Sequence, residues 1–373
     1  MKKFPKIVLA LFVFFVLLAG SWLGVNLWPR PVEPPLWTEA DLSVAVTEEK
    51  DKNGYYFLVK ARQDGDTLDS WDVEDLPETL LFLYELDAVP SMKDADAFWT
   101  EVKRRRPRLA AFLKDRRATV EGYRALLEFP QMIDRDPLRL GEQSAPWISL
   151  LGLHKVGVLT MADLAAGGDV AEAYRTWIRQ YRQDLSHLSA ARGMISHLVA
   201  MADVKSDLFF SCKLLGLPAP AALKEEMKAA MAEFDPAKVT FRRAMVAEYL
   251  HGLAAAESLE AEQKQAGRGL WFRIIFNRAA YRKDTNDYFR RLEALAADPK
   301  SLTEDEIGRH RASVEALTRN RGPLWWFYNP LGKILRRLVT VDPLAYVKEF
   351  ADSKEEIRRM TDGTVWPPCS AQP

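Results

Sequence analysis

The chain has 373 residues, and its 52 Lys and Arg balance 52 Asp and Glu, so the formal net charge is zero. A composition of 48% hydrophobic and 28% charged residues excludes a disordered or collagen-like chain, and the charge balance excludes a strongly basic nucleic-acid binder at the whole-chain level. Two cysteines, Cys212 and Cys369, are too few for a disulfide scaffold or a four-cysteine zinc site.

The first element is a greasy helix. From Ile7 to Trp28 there are 22 consecutive residues without a charge. At ~1.5 Å per residue such a helix reaches about 33 Å, enough for the ~30 Å hydrocarbon layer of a bilayer. Trp22 and Trp28 suit an aromatic belt at the far interface, and Pro29-Arg30-Pro31 stops the helix. Lys2, Lys3 and Lys6 precede the run and only Arg30 follows closely, so the positive-inside rule leaves the N-terminus in the cytoplasm. The expected organisation is a cytoplasmic stub over 1–6, a transmembrane anchor over 7–28, a Pro-rich spacer over 29–43 and an exported helical domain over 44–373. That places the protein in a bacterial inner membrane as a single-pass chain whose bulk is periplasmic or extracytoplasmic. The rival reading is a cleaved signal peptide with Ala19-Gly20-Ser21 as its small-residue site. Leu17-Leu18-Ala19-Gly20-Ser21 also resembles a lipoprotein box, but Ser21 stands where the lipidated cysteine would be. Later in the chain Trp147–Leu164 comes nearest to a span, interrupted by His154 and Lys155.

Beyond the anchor, Pro29, Pro31, Pro34 and Pro35 favour an extended, semi-rigid spacer. Asn53-Gly54-Tyr55-Tyr56-Phe57-Leu58-Val59 suits either a short strand or a helix start, with the helix preferred. Lys103-Arg104-Arg105-Arg106-Pro107-Arg108 with Lys114, Arg116 and Arg117 is a dense basic run. It fits a solvated helix surface with nearby acids, or contact with anionic headgroups.

From there the chain reads as successive helices. A helix over about 146–165 ends at Gly167-Gly168, the residues a left-handed C-terminal cap needs. Asp169 with Glu172 three residues on starts the next, over 171–188, whose stripe is Tyr174, Trp177, Ile178, Tyr181, Leu185 and Leu188. A third, over about 191–215, packs through Ile195, Leu198, Met201, Leu208 and Phe209 and stops at Gly216 and Pro218. Leu223, Met227, Met231 and Phe234 line a helix over about 220–233. Asp235-Pro236 then caps one carrying Phe241, Met245, Val246, Leu250 and Leu253. Thr303 with Glu306, Asp342-Pro343, and Ser353 with Glu356 start three more. No run of alternating strands with hairpin turns occurs, so the expected fold is all-α: an N-terminal helix followed by an irregular, solenoid- or bundle-like helical domain.

Residues 147–188 resemble a single tetratricopeptide hairpin, with an apolar first helix, a Gly-Gly-Asp turn and an aromatic second helix; no second copy follows at a ~34-residue period. More widely, Asn53-Gly54-Tyr55-Tyr56 beyond the anchor, the hairpins, and Tyr328-Asn329-Pro330-Leu331-Gly332-Lys333-Ile334-Leu335 look like bacterial single-span, membrane-anchored helical proteins. That resemblance implies an envelope location and supplies no catalytic residue.

Standard catalytic signatures are missing: no phosphate-binding glycine loop, no Gly-x-Ser-x-Gly elbow and no His-Glu-x-x-His helix. The sharpest chemical hypothesis pairs Asp184 with His187 and Glu248 with His251. Each pair is three residues apart on one helix, as in di-iron bundles, with Asp203 or Asp207 as a further carboxylate. The competing reading is ordinary surface pairs, with no cofactor. Two aromatic clusters interleaved with basic residues suit a membrane or partner contact, one at Trp271 and Phe272, the other at Trp325, Trp326 and Tyr328; core packing explains them equally. Cys212 and Cys369 can pair in an oxidising compartment, or Cys212 can be a buried thiol. Together these features suggest a non-enzymatic, membrane-anchored scaffold or interaction module with an envelope protein as partner, the bilayer held through residues 7–28, and no nucleic acid. The alternatives are an envelope enzyme with a metal site in a helix bundle, and a lipid-surface-binding protein.

Overall fold

The computed structural model describes residues 4–27, 30–43, 48–64, 80, 83, 95–138, 144–299, 302–318, 331 and 343–362. The helices in chain order are α1 (Phe4–Leu27), α2 (Gly54–Gln63), α3 (Ala95–Asp115), α4 (Arg117–Leu126), α5 (Trp147–Ala166), α6 (Val170–Ala190) and α7 (Met194–Leu215). They continue as α8 (Ala221–Met231), α9 (Arg242–Gln265), α10 (Gly269–Ile275), α11 (Arg278–Ala296), α12 (Glu304–Thr318) and α13 (Pro343–Thr361). The chain is all-α, as its periodicity predicts; the only strand-like feature among the described residues is an isolated parallel bridge between Asn53 and Gln131. Two compact units are formed: Met1–Leu42, Leu138–Glu142 and Met245–Glu349 make one; Ser43–Pro137, Gln143–Ala244 and Phe350–Pro373 make the other.

The second unit is built around α5. This helix packs against α3, α4, α6 and α7 at once, so it has no solvent stripe to keep polar. That explains its composition: α5 is long and apolar enough to cross a membrane, yet 67% of its apolar window is buried inside the protein. α1 carries the charge-free run that begins at Ile7, and its side chains from Val13 to Leu18 are exposed.

The turn from α5 to α6 forms as its residues require. Gly168 has φ +96°, a left-handed conformation that a Cβ would strain, and the Asp169 N–H returns to the Leu164 carbonyl at 2.9 Å. The Asp169 carboxylate then accepts from Glu172 N–H at 3.3 Å and opens α6. Along α6 the rings of Tyr174, Trp177 and Tyr181 are fully buried, and each polar tip reaches a carbonyl: Leu214 at 2.7 Å, Asp207 at 2.8 Å and Met231 at 3.4 Å.

Two starts and one helix face differ from expectation. Asp235-Pro236 does not open a helix; the Asp235 carboxylate turns back to Ala237 N–H at 2.9 Å, and α9 begins at Arg242, whose N–H is taken by Thr240 Oγ1 at 3.2 Å. Ser353 with Glu356 lies inside α13, which runs unbroken from Pro343. On α7, Ile195 faces solvent, and the buried side carries Asp203 and Asp207 instead. The Thr303–Glu306 box forms as expected, Glu306 Oε2 accepting from Thr303 N–H at 2.9 Å and Thr303 Oγ1 from Glu306 N–H at 3.2 Å.

In the first unit α1 packs on α10. Residues 30–35 are extended, but the segment is docked rather than a free spacer. Trp37 is buried edge-on against Tyr249 and Phe289, with centroids 5.5 and 5.8 Å away. Tyr249 accepts from Leu36 N–H at 2.7 Å, and Asn286 Nδ2 donates to the Pro34 carbonyl at 3.1 Å. A proline-rich segment lacks the N–H groups for a regular ladder, so Tyr249 on α9 takes the Leu36 N–H and Asn286 on α11 meets the Pro34 carbonyl.

Asn53 explains the Asn-Gly-Tyr-Tyr motif. It is fully buried and uses its whole amide: Oδ1 accepts from Tyr55 N–H at 3.1 Å and Ile133 N–H at 2.9 Å, and Nδ2 donates to Ile133 O at 3.0 Å and Glu48 Oε1 at 2.9 Å. It therefore caps α2 and pins the 131–136 segment together. Asn53→Ala strands three buried backbone groups, and the expected loss is about 3 kcal/mol of unfolding free energy by urea titration. Asn53→Asp keeps the two acceptor contacts but sets a buried carboxylate oxygen against the Ile133 carbonyl and the Glu48 carboxylate, and is expected to lose at least as much.

Candidate functional site

Three helices of the second unit bring four ionisable side chains to one point in its core. His154 comes from α5, Asp184 from α6, and Asp203 with Asp207 from successive turns of α7. His154 is 3% exposed, Asp184 6%, and both α7 carboxylates 0%. His154 Nε2 stands 3.1 Å from Asp207 Oδ1 and 3.4 Å from Asp184 Oδ2, and its Nδ1 stands 3.5 Å from Asp203 Oδ1.

Gln180, one turn before Asp184 on α6, completes the cluster. Its Nε2 lies 2.5 Å from Asp207 Oδ1 and 3.0 Å from His154 Nε2, and its Oε1 accepts from Tyr123 of α4 at 2.6 Å. Gly157, one turn beyond His154, makes room for this pair. A Cβ there would lie 2.5 Å from the Tyr123 ring and collide with the Gln180 amide. Among the described residues no hydrogen bond reaches either oxygen of Asp203, or Oδ2 of Asp184 or Asp207.

The electrostatics follow from that enclosure. Burial raises the Asp207 carboxyl to about 8; the positive charge of His154 pulls against this, and Asp184 adds to it. Asp203 is raised well above its ordinary value, again chiefly by burial. Burial alone would depress His154, but Asp203 and Asp207 hold its pKa well above the usual imidazole range. In neutral solution the cluster therefore retains protons that its separate groups would release. His154, Asp184 and Asp207 each offer a ligand atom within 4.8 Å of the others, a grouping among the described residues that could hold a metal ion.

Of the residues singled out from the sequence, Asp184 enters this cluster and Asp207 and Asp203 join it. His187 turns away, its Nε2 2.9 Å from Ser196 Oγ and its ring stacked 4.7 Å from that of Trp147. Glu248 and His251 are half-buried on α9, in the first unit. His154 was visible in the sequence only as a polar interruption of an apolar run. The signal for the rest was the four-residue spacing of Gln180 with Asp184 and of Asp203 with Asp207.

On α10, Trp271 is 71% exposed with Leu270 and Ile275 beside it, whereas Phe272 is buried against Phe276 at 5.1 Å. Phe272 is thus a core residue and Trp271 the surface one, because the helix has one inner and one outer face. Trp325, Trp326 and Tyr328 lie outside the described residues. Within the basic run Arg104 and Arg105 pair with Glu101, and Arg106 with Asp163 at 3.0 Å. Cys212 is buried on α7 with Sγ 3.6 Å from the Leu208 carbonyl, and Cys369 lies outside the described residues.

Comparison with family models, with curated proteins and with solved structures finds no match to this chain.

The raised groups fix a pH dependence. Asp207 keeps in the fold a proton that the unfolded chain sheds above about pH 4, and His154 keeps one that the unfolded chain sheds above about pH 6.5. Stability is therefore expected to fall as pH rises from about 6.5 to 8. Below pH 6.5 the sign reverses for His187 and His197, which burial lowers to about 4, so the unfolded chain gains protons that the fold refuses. Urea titrations in EDTA at pH 6.5 and 8 check the alkaline limb, and Asp207→Asn is expected to flatten it by about 1 kcal/mol per pH unit.

Proposed function

We propose that this is a membrane-tethered helical protein of the bacterial envelope, held by α1 and acting as a scaffold or interaction module on the outer side of the inner membrane. The observation that carries the reading is the outward face of the first unit. Val13 to Leu18 of α1 are exposed apolar side chains, and α10, packed on α1, adds exposed Leu270, Trp271 and Ile275. A soluble protein rarely leaves contiguous apolar surface of this kind uncovered. Arg268 and Arg273, exposed on the same short segment, suit lipid phosphates at the edge of such a layer. The lysines before α1 support a cytoplasmic N-terminus.

An envelope enzyme with a metal site is the second reading, favoured by the buried histidine–aspartate cluster. That cluster is enclosed by helices rather than set in a cleft, so it offers no seat for a substrate.

Topology is tested by adding protease to spheroplasts expressing the C-terminally tagged chain. The tag is expected to disappear before lysis, together with an exported control. A tag that survives until lysis would invert the proposed arrangement. Alkaline carbonate extraction is expected to leave the chain in the membrane pellet, and Leu270→Glu combined with Trp271→Glu to weaken, without abolishing, that retention.

A further inference from the structure

The geometry points to a divalent transition-metal site formed by His154 Nε2, Asp184 and Asp207, with Asp203 as the outer carboxylate that orients the imidazole through Nδ1. The proposal concerns the second unit alone and stands whether or not the topology above is right.

Distances give the first argument. An ion with nitrogen and oxygen ligands at ~2.0–2.2 Å keeps neighbouring ligand atoms ~3.0–3.5 Å apart. His154 Nε2 lies 3.1 Å from Asp207 Oδ1 and 3.4 Å from Asp184 Oδ2, which are such edges.

Hydrogen-bond accounting gives the second. His154 Nε2 carries at most one proton, yet it confronts two carboxylates and the Gln180 amide. With Gln180 Nε2 donating to His154 at 3.0 Å, the imidazole must present a lone pair there, facing two anions. Reversing the amide instead puts its oxygen 2.5 Å from Asp207 Oδ1. Both arrangements turn lone pairs toward one another unless a proton or a cation lies between them, and one cation between His154, Asp184 and Asp207 relieves both. Tyr123 tolerates either, because a phenol both donates and accepts.

The third argument is that buried oxygens of Asp184 and Asp207 receive no hydrogen bond among the described residues, although they point into a core that excludes water. Asp203 faces the other ring nitrogen at 3.5 Å, the position from which a carboxylate can hold the tautomer and ring direction of a metal-bound histidine. An imidazole beside carboxylates suits Mn²⁺, Fe²⁺ or Zn²⁺ over Mg²⁺ and Ca²⁺, which favour all-oxygen shells.

The test uses the full chain in detergent, stripped with EDTA, dialysed and titrated separately with Zn²⁺ and Mn²⁺, with bound metal measured by elemental analysis. One ion per chain is expected. Asp184→Asn and Asp207→Asn should each weaken binding at least about tenfold, Asp203→Asn roughly 10-fold through the outer shell, and Glu248→Gln not at all. Electron spin-echo spectra of bound Mn²⁺ should show one imidazole nitrogen, a readout on the native chain that does not depend on variants folding. No bound ion in a chain folded by circular dichroism overturns the proposal. So does binding that persists in the Asp184→Asn/Asp207→Asn double variant, or a spectrum without imidazole coupling.

Discussion

Burying three carboxylates beside one imidazole is the constraint around which the second unit is arranged. Each ionised group taken from water costs several kcal/mol even after relaxation, and mutual attraction offsets this only when every charge is met. Here the positive partner is single, so the cluster must hold protons or a cation to remain in place. Its surroundings serve that end. Trp177 and Tyr174 tie α6 to carbonyls of α7, Tyr123 holds the Gln180 amide, and the bare Gly157 lets that pair approach α5. The helices are thus fixed by hydrogen bonds that do not themselves neutralise the charge.

The same arrangement explains what the sequence disclosed and what it hid. Local signals were legible because they are local: Gly167-Gly168-Asp169 makes the α5–α6 turn, and Thr303 with Glu306 makes a capping box, with partners only a few residues away. The buried stripe of α6 was legible because its core-facing positions are apolar or aromatic. α7 was misread at Ile195 for the opposite reason. Its inner face carries Asp203 and Asp207 beside the expected Met201 and Leu208, so a search for apolar periodicity drew in Ile195 and passed over the carboxylates. Asp235-Pro236 has the residues of a helix start but spends the carboxylate on its own turn, a choice set by packing beyond the window. The cluster itself was illegible as a unit because its members lie on three helices, and no spacing rule connects His154 to Asp207.

Hydropathy alone also confuses two different apolar helices. α5 is apolar because protein surrounds it on every side, and α1 presents its apolar side chains outward. Length and composition admit both helices; burial distinguishes them, because α5 is enclosed by protein and α1 is exposed over Val13–Leu18. α10 belongs with α1, since its inner residues Phe272 and Ile274 are core while Leu270 and Trp271 are turned out. Residues 33–37 are docked onto Tyr249 and Asn286 within that unit. On the proposed topology this docking leaves little slack, so whatever the first unit binds is bound close to the lipid surface.

An enclosed cation and a scaffold role are compatible. Structural ions are held in closed shells, whereas catalytic ones keep a position open for water or substrate. Asp184, the least buried of the four side chains, is more than nine-tenths covered, as a closed-shell site requires. An ion there would join α5, α6 and α7 through ligands contributed by each, replacing protons that stabilise the cluster only weakly at alkaline pH. The hairpin surfaces around it would then be rigid when loaded and looser when not. Metal occupancy, rather than catalysis, is the property of this core that a binding partner on those surfaces would sense.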